Sequence, residues 1–226
     1  MTQISNLIEQ NEILKAEAIK KSPARFFLDI SQEDFMNLFC SKLNYYLSRK
    51  HKKDFKFKID KQNKEIIEQL YFYLYGSEQF KGDLYKGILL IGSLGTGKTT
   101  ILQSFCEMIN DFKIKIISII HSKKLSSELN ADKNIIEYEK IPLFIDDIGK
   151  ENRNVNNFGT IINPIPDIFA LRSEYGSWTF GTGNYNLNSY SEFYGETIKE
   201  RFFELFNIIS VSGESRRKQD IINIKN

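Results

Sequence analysis

One stretch decides the fold of this 226-residue chain: Gly92-Ser93-Leu94-Gly95-Thr96-Gly97-Lys98-Thr99. It fits the phosphate-binding pattern G-x-x-x-x-G-K followed by Ser or Thr at every required position. The apolar run 87–91 before it is typical of a buried strand, and apolar residues recur at helical spacing over 101–109. Strand, glycine loop and helix in this order predict a site for a magnesium nucleotide.

The residue types of this loop suit that ligand. Glycines let the backbone wrap closely around phosphates, and the N–H groups at the start of the helix point at the anion. Lys98 can reach the β- and γ-phosphates as a point charge, and the Thr99 hydroxyl can hold Mg²⁺. The predicted nucleotide-binding residues are Gly92, Ser93, Leu94, Gly95, Thr96, Gly97, Lys98, Thr99 and Thr100.

A second chemical feature is the pair of carboxylates, Asp146 and Asp147, that ends the apolar run 143–145. In an open parallel sheet, ligands bind at the carboxyl ends of the strands. We therefore predict that Asp146 holds Mg²⁺, through water, and that Asp147 polarises the attacking water. The alternative is a solvated turn before Gly149.

Composition is ordinary for a soluble globular protein, with 41% hydrophobic and 27% charged residues. The net charge of +2 does not by itself indicate a nucleic-acid-binding protein. No apolar run approaches the roughly 18 residues of a membrane span, and the chain does not begin with a secretion signal. Cys40 and Cys106 lie in apolar helical patterns, which predicts buried free thiols in a reducing compartment. We expect a cytoplasmic protein without a membrane partner.

The residues before the glycine loop read as mainly helical. An amphipathic helix is predicted over 4–21, where packing on its own domain and docking on a partner are both open interpretations. A second helix begins at Ser31, and a third covers 61–75. The apolar face of the second helix consists of Phe35, Leu38, Phe39, Leu43 and Tyr46. We predict a helical, partner-binding region over 1–80 and a nucleotide-binding core over 81–226.

A basic segment covers residues 42–64, where nine Lys and Arg residues are interleaved with two phenylalanines, Phe55 and Phe57. One interpretation is a nucleic-acid contact that combines charge with aromatic stacking. The other is a solvated loop whose phenylalanines point into the core. We favour the solvated loop, because charge runs are usually solvated.

After the loop, apolar strands alternate with helices, which predicts a parallel sheet covered on both faces. Further strands are predicted at 113–120, 141–147, 177–182 and 208–211. Helices are predicted at 100–109, 167–175 and 197–206.

The order of motifs over residues 80–220 resembles the DnaC/IstB-like class of AAA+ ATPases, which are helicase loaders and transposition regulators. The resemblance rests on the glycine loop, on 145–149, on 182–184 at a strand end, and on 195–204. It implies an AAA+ fold that binds ATP with Mg²⁺.

The resemblance also implies roles for two residues. Asn184 would be the polar sensor between the sheet and the γ-phosphate, with capping of the next turn as the alternative. Arg201 would be an arginine finger that reaches into the nucleotide site of a neighbouring subunit, with a surface helix residue as the alternative.

Three departures from that class have consequences. The second acid is Asp147 where Glu is commoner, so we expect slow hydrolysis. The sensor stretch reads Thr-Gly-Asn, where Thr-Ser-Asn or Thr-Thr-Asn is more usual. About 15 residues follow the last predicted strand, too few for a helical lid. A lidless core has no ordinary second sensor arginine, and Arg216 or Arg217 could substitute.

These features lead to one functional hypothesis and two alternatives. The hypothesis is ATP-dependent loading or remodelling of a replicative helicase by subunits that ATP orders around single-stranded DNA or the helicase. One alternative is a transposition-targeting ATPase on duplex DNA. The other is a nucleotide-dependent assembly adaptor with negligible turnover. The sequence does not name the protein partner.

Overall fold

The computed structural model describes residues 27–131 and 133–216, so the helix predicted over 4–21 and Arg217 lie outside the described residues. The helices are α1 (Gln32–His51), α2 (Lys64–Tyr75), α3 (Lys98–Asp111), α4 (Ser122–Ala131), α5 (Pro164–Glu174), α6 (Leu187–Tyr194) and α7 (Thr197–Leu205). The strands are β1 (Gly87–Gly92), β2 (Ser118–His121), β3 (Leu143–Ile148), β4 (Val155–Asn157), β5 (Thr160–Ile162), β6 (Thr179–Gly183) and β7 (Phe206–Val211). A short 3₁₀ helix covers Ile135–Tyr138.

Five strands form a parallel sheet in the order β2-β3-β6-β1-β7, and β4 and β5 form a separate antiparallel hairpin. The predicted parallel sheet with flanking helices is therefore confirmed. The strand that enters the glycine loop lies next to β6, with Leu90 opposite Thr182. His121 at the end of β2 lies opposite Asp146 on β3. The carboxyl ends of β2, β3, β6 and β1 thus form one continuous edge.

Strand β2 is shorter than predicted, because the chain enters the sheet only at Ser118. Lys113 has a left-handed backbone with φ of 56°, so the chain turns there. The Asn110 side chain then donates to the Ile117 carbonyl at 2.9 Å and accepts its N–H at 2.7 Å. Ile114 and Ile116, which looked like strand residues, are exposed to solvent.

The core lies on both faces of the sheet, as alternating side chains of β1 require. Ile88 and Leu90 point into a larger cluster with α1, α2 and α3, and Leu89 and Ile91 point into a second cluster with α5 and α7. In the larger cluster, the rings of Phe35 and Phe39 on α1 pack against Phe105 on α3. The division of the chain at residue 80 stays a prediction, and α1 and α2 share this core with α3.

The loop after α1 is fastened to that helix. Asn44 accepts the N–H of Phe57 at 2.6 Å, and Ser48 accepts that of Phe55 at 3.0 Å. Phe57 packs against the larger cluster, whereas Phe55 stacks on His51 at 5.4 Å between ring centroids. These contacts agree with the solvated-loop interpretation for Phe57 and place Phe55 on the helix instead of in the core.

The two cysteines differ in their surroundings. Cys106 on α3 is fully buried, as predicted. The prediction of burial is wrong for Cys40, which is half-buried because it lies beside the inward-facing Phe39 on the flank of α1. Both thiols are free.

No helix within residues 27–131 and 133–216 is long and apolar enough to cross a membrane.

A fully buried arginine, Arg172 on α5, ties the helices to the sheet. Its guanidinium donates to the carbonyls of Tyr138, Ile141 and Trp178 and to the hydroxyl of Thr179. Burial lowers the pKa of this group to about 9. The side chain thus satisfies acceptors that would otherwise lose water without replacement.

Arg172→Ala should therefore lower the free energy of unfolding by at least about 3 kcal/mol, since each buried acceptor left unpaired costs about 1–3 kcal/mol. Urea denaturation followed by circular dichroism measures the change. Arg49→Ala is the control, because that side chain is 59% exposed, and it should change stability by less than about 0.5 kcal/mol. Equal stability of the two variants would contradict the anchoring role.

Candidate nucleotide site

The glycine loop has the backbone that its sequence requires. Gly92, Gly95 and Gly97 have φ of 136°, 82° and 95°, a region that side chains rarely adopt. Gly97 is the N-cap of α3, so the loop leads directly into the open N–H groups at the start of that helix. Such a helix start attracts anions through its N–H groups and its dipole.

Lys98 lies across this loop instead of extending into solvent. Its Nζ atom donates to the carbonyl of Gly92 at 2.8 Å and to that of Ser93 at 2.7 Å. The residue is only 5% exposed. Thr96 closes the turn by donating to the same Ser93 carbonyl at 3.0 Å. The ammonium group of Lys98 is therefore held inside the loop, next to the start of α3.

The hydroxyl of Thr99 and the carboxylate of Asp146, the two predicted magnesium ligands, lie within hydrogen-bond distance of each other. Thr99 Oγ1 donates to Asp146 Oδ1 at 2.8 Å, and Thr182 Oγ1 on β6 donates to the same atom at 2.5 Å. Hydroxyl and carboxylate oxygens are the ligands that Mg²⁺ prefers. The donor set fits this ion, and Thr99 and Asp146 are the residues that would hold it.

Asp147 departs from regular strand geometry, with φ of 55° at an irregularity in the β3–β6 pairing. Its N–H donates to Thr182 Oγ1 at 3.1 Å, and its backbone carbonyl accepts Ser122 Oγ at 2.7 Å. Its carboxylate accepts the side-chain amide of Asn184 at 2.7 Å. The structure thus brings Asp147 and Asn184 together at the carboxyl edge of the sheet.

The side chain of Asn184 does not cap the turn that follows it, and its role as a polar sensor stays a prediction. The side chain that caps the following helix belongs to Asn186, which accepts the Ser189 N–H at 2.9 Å. Asn184 is therefore directed at the acid and not at the turn. The structure also explains why glycine stands between Thr182 and Asn184. Any side chain at position 183 would collide with the Tyr190 hydroxyl.

One residue that lies beside Asp146 and Asp147 was not predicted from the sequence. The Nε2 atom of His121 lies 3.6 Å from Asp147 Oδ2, and its Nδ1 atom accepts the N–H of Lys123 at 3.1 Å. A neutral His121 therefore carries its proton on Nε2, facing the carboxylate. Ligand atoms of His121, Asp146 and Asp147 lie within 4.8 Å of one another. Its position at a strand end was a signal, but the pairing of β2 with β3 could not be read from the chain.

Arg201 lies away from these residues. Its Nη1 atom donates to Glu204 Oε2 at 2.7 Å and to Ser173 Oγ at 3.0 Å, and the ion pair lowers the pKa of Glu204. Ser173 lies near the end of α5, just before the chain enters the amino end of β6. The guanidinium is thus at the opposite edge of the sheet from the glycine loop and does not join the nucleotide site of its own chain.

Arg216 lies next to the glycine loop. Its backbone N–H donates to the Gly95 carbonyl at 2.9 Å, and its guanidinium donates to Asp60 Oδ1 at 2.8 Å. Of the two arginines considered as a second sensor, this one is within the described residues and beside the predicted phosphate site.

Comparisons with known proteins agree with this fold. The similar solved structures include DnaI, with 25% sequence identity and a TM-score of 0.52 over 70% of this chain and 86% of that chain. The DnaC helicase loader has 21% identity and a TM-score of 0.52 over 70% of this chain and 94% of that chain. Domain III of the replication initiation protein DnaA from Thermotoga maritima has 18% identity and a TM-score of 0.50 over 69% and 65%, respectively. No protein-family model matches the chain, and no curated protein matches it.

The fold, a five-stranded parallel sheet flanked by helices, is that of AAA+ P-loop ATPases. Within that type, the resemblance to the DnaC/IstB-like class, which the order of motifs indicated, is confirmed by the likeness to DnaI and DnaC.

Proposed function

We propose that this chain is an ATP-hydrolysing helicase loader of the DnaC/IstB-like class. The observation that supports it most is the convergence of the glycine loop, the Thr99–Asp146 pair and the Asp147–Asn184 pair at one edge of the sheet. The likeness to DnaI and to the DnaC helicase loader supports helicase loading as the process in which the chain acts.

In this proposal each side chain of the site has its own role. Lys98 and the N–H groups of the loop bind the phosphates, and Thr99 and Asp146 hold Mg²⁺, which supplies charge stabilisation at the phosphoryl group when bound. Asp147 orients and polarises the attacking water, and Asn184 fixes the position of that carboxylate. Residue types, distances and the direction of each hydrogen bond are compatible with these roles.

The proposal also includes assembly. Arg201 lies at the far edge of its own sheet, which is compatible with the proposal that it acts on the nucleotide site of another subunit. A self-oligomer on single-stranded DNA or on the helicase provides such a neighbour. The region 1–80 is proposed to bind the protein partner, and on α1 the side chains of Leu38 and Tyr45 are exposed.

A second candidate is a nucleotide-dependent switch with negligible turnover. It is favoured by the identity of the second acid, because the side chain of Asp147 is one methylene shorter than that of the Glu commoner at this position. Turnover at saturating ATP and DNA distinguishes a switch from a hydrolysing loader.

Lys98→Ala should bind ATP about 100-fold more weakly than the wild type while keeping its fold. Two charge-assisted hydrogen bonds to phosphate are lost, together worth about 3 kcal/mol or more. Nucleotide titration measures the change, and circular dichroism checks the fold. Lys124→Ala is the control, because that lysine is exposed on α4, and its ATP affinity should match the wild type.

The same pair of variants tests the partner. Affinity purification from the native host with ATP should retain a replicative helicase on the wild type and on Lys124→Ala, but not on Lys98→Ala. Retention of a transposase would favour the transposition alternative, and unchanged ATP affinity in a folded Lys98→Ala variant would contradict the proposed site.

A further inference from the structure

The segment that follows β7 crosses the phosphate loop. Ser215 packs so closely on Gly95 that any side chain at Gly95 would collide with the Ser215 hydroxyl. The N–H of Arg216 donates to the Gly95 carbonyl at 2.9 Å. The Cδ and Nε atoms of Arg216 come within 3.8 and 4.0 Å of the place that a Cβ on Gly97 would occupy. The guanidinium thus begins beside the N-cap of α3, where the phosphates are proposed to bind.

This guanidinium is held by Asp60, which is more than 150 residues away in the sequence. Nη2 of Arg216 donates to Asp60 Oδ1 at 2.8 Å, and Gln62 Oε1 lies 3.4 Å away. Asp60 lies in the basic segment 42–64, shortly before α2. Its backbone carbonyl accepts the N–H of Lys64, the first residue of α2, at 2.9 Å. The hydrogen bond from Arg216 holds the pKa of the Asp60 carboxyl below its usual range.

We propose that Arg216 responds to nucleotide by exchanging Asp60 for the phosphates on the glycine loop. Occupancy of the glycine loop then loosens residues 58–63, which include Asp60 and Gln62, from the phosphate site. The inference rests on the proposed nucleotide binding, and it adds a phosphate-contacting residue and a positioning residue, Asp60, that restrains it.

The chemistry of the three groups supports the exchange. A guanidinium binds phosphate or carboxylate through the same forked donors, so two anions within its reach compete for it. The side chains of Arg216 and Asp60 are 29% and 41% exposed, respectively. A pair this exposed is weak, so an anion of higher charge can displace the carboxylate.

The first test is a set of ATP titrations with Mg²⁺. Asp60→Asn should bind ATP about twofold to fivefold more tightly, which corresponds to about 0.4–1 kcal/mol and lies within the range of an exposed ion pair. Arg216→Gln should bind about tenfold more weakly, because a hydrogen bond to a charged group is lost, and Arg216→Lys should recover part of the loss. Adding Asp60→Asn to Arg216→Gln should change nothing further.

Asp111→Asn is the matched control, because Asp111 forms an ion pair of 2.7 Å with Lys42 away from the loop. It should leave ATP affinity unchanged. An unchanged affinity in Asp60→Asn would overturn the competition, and so would a tightening that persists without Arg216.

The second test is hydrogen–deuterium exchange of the peptide 58–63, which contains the two residues that contact Arg216. ATP should increase its exchange in the wild type, whereas in Arg216→Gln exchange should already be high and independent of ATP. A wild-type peptide that ATP protects or leaves unchanged would overturn the proposal. Lys98→Ala separates the two hypotheses, because an ATP affinity that does not depend on Lys98 contradicts the nucleotide site itself.

Discussion

Asp147→Asn should bind ATP nearly as tightly as the wild type and hydrolyse it about 10²- to 10⁴-fold more slowly, the usual contribution of a general base. The amide keeps the shape of the side chain and can still accept the hydrogen bond from Asn184, but it cannot polarise water as an anion does. Asn is also suited to the left-handed backbone at this position, where φ is 55°. The variant therefore removes the charge and leaves the local structure.

Phosphate release at saturating ATP and nucleotide titration together measure this effect. Asp146→Asn is the counterpart, because Asp146 accepts the Thr99 hydroxyl and is proposed to hold the metal. It should weaken Mg²⁺-dependent ATP binding as well as turnover. Loss of binding in Asp147→Asn with loss of turnover alone in Asp146→Asn would mean that the two roles are reversed.

The sequence predicts the parallel sheet and the loop because both depend on local patterns. A short apolar run bounded by turn residues is typical of a strand that is buried on both faces of a sheet, and β1 and β3 are found close to their predicted positions. The glycine loop is equally local, since its conformation is set by glycines at fixed spacing. Thr99, Asp146 and Asn184 follow from the rule that strands of a parallel sheet share one carboxyl edge.

The remaining features depend on contacts between distant parts of the chain. The run 113–117 is apolar enough for a strand, but the side chain of Asn110 forms hydrogen bonds with both backbone groups of Ile117, and the strand begins only at Ser118. The strands of the hairpin, Val155–Asn157 and Thr160–Ile162, are too short to show an alternating pattern. The approach of His121 to Asp147 requires the strand order, which the chain does not state.

Arg201→Ala should bind ATP but hydrolyse it about 10³- to 10⁵-fold more slowly, the range that arginine fingers contribute. In the proposed oligomer, the guanidinium of a neighbouring subunit would neutralise charge that develops on the γ-phosphoryl group. Loss of the exposed Arg201–Glu204 pair should itself cost at most about 1 kcal/mol of stability. Glu204→Gln is the matched control, because it removes the same ion pair and keeps the guanidinium. It should retain turnover if the arginine acts on a neighbour, and lose it equally if the pair only shapes α7.

Mixing Arg201→Ala with Asp147→Asn tests the action in trans. A subunit with Arg201→Ala keeps its own Asp147, and a neighbouring Asp147→Asn subunit still presents Arg201 to that site. Mixed oligomers should therefore recover part of the activity that each variant lacks alone, measured as phosphate release. Recovery requires that the finger cross a subunit boundary, since neither chain contains both groups. If light scattering shows co-assembly and the mixture stays as inactive as either variant, Arg201 is a surface ion-pair residue and the chain is better described as a nucleotide-dependent switch.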